Sequence, residues 1–250
     1  MHERVNRAWR VVATGLSFLA FGVGGLLLGV FVFPSLRLVL RDRDACRRVS
    51  RRLVQRSFRC HVELMRVLGV LTYELRGVER LRDRGLLVLA NHPTLIDVVF
   101  LVSLMDNADC IVKSSLMRNP FMRGPLLACG YIFNDDGAGL IDDCIASLHA
   151  RSNLVIFPEG TRTRRGAPVR LQRGAANIAV RGSVDVTPVR ISCEPMTLGK
   201  GERWYRVPPH RFHYSLEVGE NIPVAAFRDA GQGSAVVARR LTDYLTQYFS

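Results

Sequence analysis

Six cysteines are present, and none of them stands in a metal-binding or redox order. Cys46, Cys60, Cys110, Cys129, Cys144 and Cys193 form no C-x-x-C and have no histidine at zinc spacing. Zinc modules and thioredoxin-type dithiols are set aside by that pattern, no metal site is expected, and reduced, mostly buried thiols in a cytosolic compartment fit best. No serine sits in a G-x-S-x-G frame, since Ser114-Ser115 lacks the glycines; the nucleophile turn of an α/β hydrolase is therefore missing. The formal net charge of +13 comes with no helix-turn-helix, zinc or stacking-aromatic pattern, so no nucleic-acid partner is expected. Internal repeats and low-complexity stretches are absent as well.

Charge is missing altogether from Val11 to Phe33, where Thr14 and Ser17 are the only polar side chains. As a helix this stretch extends about 34 Å, enough to cross a hydrocarbon layer. Arg4, Arg7 and Arg10 resemble the basic start of a signal peptide, but the apolar stretch is too long and no small-x-small site follows, so a retained anchor is expected. Gly25 and Gly29 form a GxxxG pair, which is common in such segments and argues little for dimerisation. Residues 1–66 hold thirteen Arg against four acids (Glu3, Asp42, Asp44, Glu63), net +9 of the total +13, so the excess is local. After the anchor, Arg37, Arg41, Arg43, Arg47, Arg48, Arg51, Arg52, Arg56 and Arg59 interleave with Cys46, Val49, Leu53, Phe58, Val62 and Met65 at roughly helical spacing. A basic amphipathic helix beside an anchor is expected to lie on anionic headgroups and to hold the rest of the chain in the cytoplasm. The expected division is an N-terminal anchor and basic helix over 1–69 and a catalytic domain over 70–250.

From about residue 70, short apolar runs alternate with longer amphipathic ones, the pattern of an α/β layer fold. Strands are expected near Leu86–Ala90, Cys110–Lys113, Tyr131–Phe133, Leu154–Phe157 and Val186–Ile191, with later ones near Trp204–Val207 and Phe212–Val218. Helices are expected near Thr94–Met105, Pro120–Cys129, Leu140–Arg151, Gly174–Arg181 and Ser234–Phe249. The expected fold class is thus α/β: a mixed, mostly parallel sheet flanked by helices, preceded by the membrane helix and the basic amphipathic helix.

Two polar clusters each close a β-type run: Asn91-His92-Pro93-Thr94-Leu95-Ile96-Asp97 and Phe157-Pro158-Glu159-Gly160-Thr161-Arg162. Of the six histidines, only His92 has a carboxylate five positions on. On one continuous helix those positions would sit about 140° apart and could not touch. They meet if His92 lies in the turn after a strand, Pro93 opens the helix, and Asp97 reaches back from inside it. The carboxylate then fixes the imidazole tautomer and leaves the other nitrogen to take a proton. Open α/β sheets place their sites at the carboxyl ends of strands, which puts His92 and Glu159 along one edge.

With these residues in hand, the chain resembles the glycerolipid acyltransferase family, whose best-known members are the lysophosphatidate (1-acylglycerol-3-phosphate) acyltransferases. The resemblance covers about residues 75 to 195. It rests on four blocks in order: His92 to Asp97 as H-x4-D, Gly130-Tyr131-Ile132-Phe133, the E-G-T-R block at Phe157 to Arg162, and Val186-Thr187-Pro188-Val189. Lys113, Leu116, Pro120, Phe121 and Gly124 resemble the segment between the first two.

The resemblance implies transfer of a fatty acyl group from an acyl-CoA or acyl carrier protein thioester to an acceptor hydroxyl, with no resident cofactor. His92 would be the general base and Asp97 its orienting partner. Glu159, Gly160, Thr161, Arg162 and Lys113 would bind substrate, Glu159 being equally well read as a structural carboxylate bonding backbone amides. Backbone amides at a strand-to-helix turn would stabilise the oxyanion. The implied partners are a membrane lipid acceptor, a CoA or carrier-protein donor and an anionic membrane surface, at the cytoplasmic face of a bacterial inner membrane.

One departure bears on the acceptor. Phosphate-acceptor members carry an Arg six residues after the glycine of the second block, whereas Gly130 is followed at that distance by Asp136, next to Asn134 and Asp135. Carboxylates there repel a phosphate, and the same residues suit a helix cap. A phosphate-free acceptor in a specialised, aryl-polyene-type lipid pathway is the alternative, and a catalytically silent membrane adaptor is the rival from another class.

Overall fold

The computed structural model describes residues 2–134, 139–163, 166–229 and 231–250, with side chains from residue 5 onward. Three helices come first: α1 (His2–Leu27), α2 (Phe33–Val39) and α3 (Arg43–Val67), α1 running into α2 through a π-helical stretch at Leu28–Val32. Then follow β1 (Leu71–Arg76), β2 (Leu87–Ala90), α4 (Asp97–Leu104), β3 (Ala108–Val112), α5 (Pro120–Cys129) and β4 (Ile132–Phe133). The chain continues with α6 (Leu140–His149), β5 (Asn153–Ile156), α7 (Gly174–Gly182), β6 (Val186–Glu194), β7 (Phe212–Val218) and α8 (Ser234–Phe249).

The strands form one seven-stranded sheet in the order β1-β7-β6-β2-β5-β3-β4. All neighbours are parallel except the antiparallel pair β6 and β7. This is the mixed, mostly parallel sheet expected. Its central strands are buried on both faces, as a parallel sheet under crossover helices requires. Alternation divides them: Val88 and Ala90 of β2 join one core with Phe33, Val54, Met65 and Phe100, while Leu87 and Leu89 join another with Leu148, Ile178, Leu241 and Leu245.

The N-terminal helices pack onto the first of these cores. The division expected at residues 69 and 70 falls in the turn between α3 and β1, and Ala13, Phe33, Val54, Val62 and Met65 share a buried cluster with Leu71 and Val88. Gly25 and Gly29 let α1 approach α5 within the chain. A Cβ on Gly29 would lie 3.1 Å from Gly124 Cα, and one on Gly25 would run into the Phe121 carbonyl oxygen. The opposite stripe of the helix, Val12, Leu16, Leu19, Val23, Leu27 and Phe31, is exposed, and the helical stretch Val5–Val39 is long and apolar enough to cross a membrane.

Four expectations are corrected. Arg51, expected on the lipid-facing basic side of α3, is buried: it pairs with Asp109 at 2.6 Å and donates to the Cys129 carbonyl and to the side chains of Asn107 and Ser152. β1 was not foreseen, because its charged Glu74 and Arg76 mark it as a sheet-edge strand with little apolar signal. Trp204–Val207, read as a strand, forms a turn instead, since Pro208 and Pro209 lack the amides a ladder needs and Trp204 packs on α1. Helix α4 begins at Asp97, not Thr94.

Candidate active site

β2 and β5 are parallel neighbours with Leu89 beside Ile156, so continuing that register by three residues brings His92 beside Glu159. Two clusters 67 residues apart in sequence thereby share one edge of the sheet. The His92 amide donates to Glu159 Oε1 at 2.9 Å, and the imidazole stacks on Phe157 with ring centroids 4.1 Å apart. The ring is therefore held by the second cluster from below and by its own turn from the side.

His92 Nδ1 and Asp97 Oδ2 are 2.7 Å apart. A carboxylate oxygen only accepts, so Nδ1 carries the proton and Nε2 keeps its lone pair. The His92 side chain is 16% exposed and that of Asp97 is 0% exposed, so water reaches the imidazole but not its partner. Asp97 is further saturated. Its Oδ2 accepts from the Thr94 amide at 2.8 Å, and its Oδ1 accepts from the Thr94 hydroxyl and from the Tyr214 hydroxyl at 3.2 Å.

The Thr94 and Asp97 pair is a capping-box arrangement, in which the acid three residues on bonds back to the amide of the first. It explains the late start of α4: residues 93–96 form a turn that aims Asp97 at the imidazole. Tyr214 was not foreseen as a site residue. It comes from β7, is fully buried, and stacks on Phe100 at 3.9 Å. The available signal was its place in the inward-facing series Phe212, Tyr214, Leu216, Val218, since a tyrosine in a core position needs a partner for its hydroxyl.

Glu159 bonds a backbone amide through Oε1, while Oε2 is buried with no partner among the described residues. Burial pushes the Glu159 carboxyl above the usual carboxylate range, against the smaller opposing pull of the His92 amide. Gly160 takes a left-handed backbone at φ 69°, where a Cβ would lie 2.6 Å from Gln172 Nε2. Thr161 is half-buried beside it. Lys113 is exposed just past the end of β3, level with Pro158 when the pairing of Cys110 with Val155 is continued.

Arg162 does something the sequence did not indicate. Its Nη1 donates to the carbonyls of Leu198 and Gly199, both at 2.9 Å, fastening a distant loop to the site. Leu198 also accepts from the Leu95 amide at 3.1 Å. His92, Thr94 and Leu95 commit their amides to Glu159, Asp97 and Leu198, and Pro93 has none. Asp135 and Asp136 lie outside the described residues.

A buried acid thus holds an imidazole at the carboxyl ends of a largely parallel sheet, with a glutamate in register beside it, a geometry able to take a proton at the free ring nitrogen. Residues 72–192, just under half of the chain, match the family described as Acyltransferase. A 1-acyl-sn-glycerol-3-phosphate acyltransferase of Pseudomonas aeruginosa is 26% identical over 173 residues, 66% of this chain and 66% of that one. One of Helicobacter pylori is 32% identical over 110 residues, 41% of this chain and 46% of that one. The matched part thus spans about two thirds of the first relative and under half of the second. The crystal structure of the 1-acyl-sn-glycerophosphate (LPA) acyltransferase PlsC from Thermotoga maritima shares the fold, with a TM-score of 0.66 at 21% identity over 96% of this chain and 97% of that one.

Proposed function

We propose that the chain is a membrane-associated O-acyltransferase that moves a fatty acyl group from an acyl-CoA or acyl carrier protein thioester to a hydroxyl of a lysophosphatidate-type lipid. The observation that carries this reading is the 2.7 Å contact between His92 Nδ1 and Asp97, which leaves Nε2 as the basic atom of the site. The match to the Acyltransferase family and the names of the relatives support the class of substrate.

In the reaction, His92 Nε2 takes the acceptor's hydroxyl proton as the oxygen attacks the thioester carbon. Asp97 stabilises the imidazolium so formed. The tetrahedral intermediate collapses by breaking the carbon–sulfur bond, the imidazolium returns its proton to the departing thiolate, and the ester is released. No covalent enzyme intermediate is needed, because base and reactants are held together. Glu159 Oε2, buried and without a partner among the described residues, is placed to accept from a second polar group of the acceptor. Among the described residues, Lys113 and the remaining nitrogens of Arg162 are cations available to its phosphate; Arg164 and Arg165 lie outside the described residues.

The exposed apolar stripe of α1 is taken to sit in the bilayer, with the exposed arginines of α3 toward anionic headgroups and the catalytic edge on the cytoplasmic side of a bacterial inner membrane. The decisive experiment supplies labelled acyl-CoA or acyl carrier protein with a mixed pool of phosphate-bearing and phosphate-free acceptors, and identifies products by mass spectrometry. Acylated lysophosphatidate from the wild type and none from His92→Ala supports the proposal. Turnover retained in a folded His92→Ala protein rejects the base, and a product only from phosphate-free acceptors rejects the acceptor class.

A further inference from the structure

Between β6 and β7 the chain leaves the sheet over residues 195–211. The stretch is anchored by buried residues on both sides, Thr197 and Leu198 before and Val207 after, while every residue from Lys200 to Arg206 is exposed. Such an excursion ordinarily carries small polar residues. This one carries Trp204 and Tyr205, 45% and 44% exposed, among Lys200, Arg203 and Arg206, with Glu202 as its single acid.

Its seat on the rest of the molecule is specific. The Trp204 indole lies over Gly15 of α1, where a Cβ would come within 3.3 Å of the ring, and it meets Phe18 with centroids 6.2 Å apart. Arg10 of α1 donates to the carbonyls of Pro208 and Pro209. Gly15 is one turn inside the uncharged stretch that begins at Val11, and its neighbours Val12, Leu16 and Leu19 belong to the exposed apolar stripe. The other end of the loop is tied to the catalytic turn through Arg162 and Leu95, which both bond Leu198.

We infer that Lys200–Arg206 is a second membrane-seating surface, which enters the headgroup layer of an anionic phospholipid bilayer beside α1 and sets the depth of the His92 site. This rests on the reading of α1 as a membrane helix. Indole and phenol rings at the edge of an apolar segment favour the headgroup level, where the ring is desolvated and its polar end stays wet. Clustered Lys and Arg add attraction to anionic lipid. The apolar stripe of α1 and the aromatic pair form one continuous surface, so lipid is the occupant that suits both. Through Arg162 and Leu95, the loop also links bilayer depth to the turn that carries His92 and Asp97.

Trp9 and Trp204 are the only tryptophans, which makes the test direct. In full-length Trp9→Phe protein bound to vesicles of phosphatidylcholine with one quarter phosphatidylglycerol, Trp204 emission should shift to the blue. Brominated lipid should quench it, more strongly with bromines at shallow than at deep chain positions. Unquenched Trp204, alongside quenched Trp9 in the Trp204→Phe protein, overturns the inference while leaving the membrane helix intact. If neither is quenched and the protein stays off the vesicles, the membrane reading itself fails. Changing Lys200, Arg203 and Arg206 to Gln should weaken binding about fivefold per charge on these vesicles and leave binding to pure phosphatidylcholine unchanged. Equal losses on both vesicle types refute the headgroup contact.

Discussion

Replacing Asp97 by Asn tests the electrostatic half of the site without disturbing its shape. All four contacts to Asp97 come from donors, but those at Oδ1 are the hydroxyls of Thr94 and Tyr214, which can rotate and accept instead. An asparagine therefore fits with its amide nitrogen at the Oδ1 position and its oxygen at the Oδ2 position, still accepting from His92 Nδ1 and the Thr94 amide. Tautomer and ring orientation survive, and only the negative charge is lost. That charge acts on the imidazolium formed as the acceptor oxygen attacks. Asp97 is fully buried, and two unit charges about 4 Å apart at an effective dielectric of 20 interact by about 4 kcal/mol. The expected loss in kcat is therefore about a thousandfold, with KM for both substrates nearly unchanged because the charge acts after the proton has moved. Steady-state thioester consumption with lysophosphatidate, beside a thermal melt showing the fold intact, measures it. Activity above a tenth of wild type, or a loss confined to KM, would refute the assignment of Asp97 as the charge that stabilises the protonated base.

Other perturbations have equally definite outcomes. Tyr214→Phe removes one donor from Asp97 Oδ1 and loosens the carboxylate that orients the ring; kcat/KM should fall about fivefold, the worth of one net hydrogen bond, with the fold intact in a thermal melt. An unchanged kcat/KM would make Tyr214 a packing residue alone. Arg51→Ala leaves Asp109 buried without its partner, so denaturant unfolding should register a loss of about 3 to 5 kcal/mol, against at most about 1 kcal/mol if the pair were solvated. For Glu159 the sign follows from its raised carboxyl. The folded protein holds that proton more tightly than the unfolded chain, so stability is full below the ordinary carboxylate pKa and is lost as pH rises through the elevated one. Glu159→Gln keeps an oxygen for the His92 amide and abolishes the titration, so its melting temperature should gain on wild type across that window and run parallel above it. A constant difference at all pH values would reject the shift.

Local signals carried much of the fold. Helices α5 and α8 and strand β7 occupy the ranges their periodicity indicated, since the spacing of apolar residues reports which face each element must bury. The strand-then-turn placement of His92 and Glu159 was legible for the same reason, as both follow four-residue runs that are wholly buried. The failures have physical causes too. Arg51 looks like its neighbours on α3 until Asp109, Asn107 and Ser152 arrive from elsewhere to satisfy it. A Trp-Tyr pair reads as β-forming, whereas here Trp204 packs on helix α1.

What the chain's local chemistry determined alone is the imidazole, the acid five residues on, the glutamate block and an uncharged helix at the front, because these depend only on residue type, spacing and hydrophobicity. Which side chains complete the site was decided by tertiary structure. The antiparallel return of β7 brings Tyr214 to Asp97 from 117 residues away, and the excursion before it hands Leu198 to Arg162. Those contacts follow from strand order and register, and a hydroxyl or guanidinium whose partner lies on another strand carries no mark of that partner in its own neighbourhood.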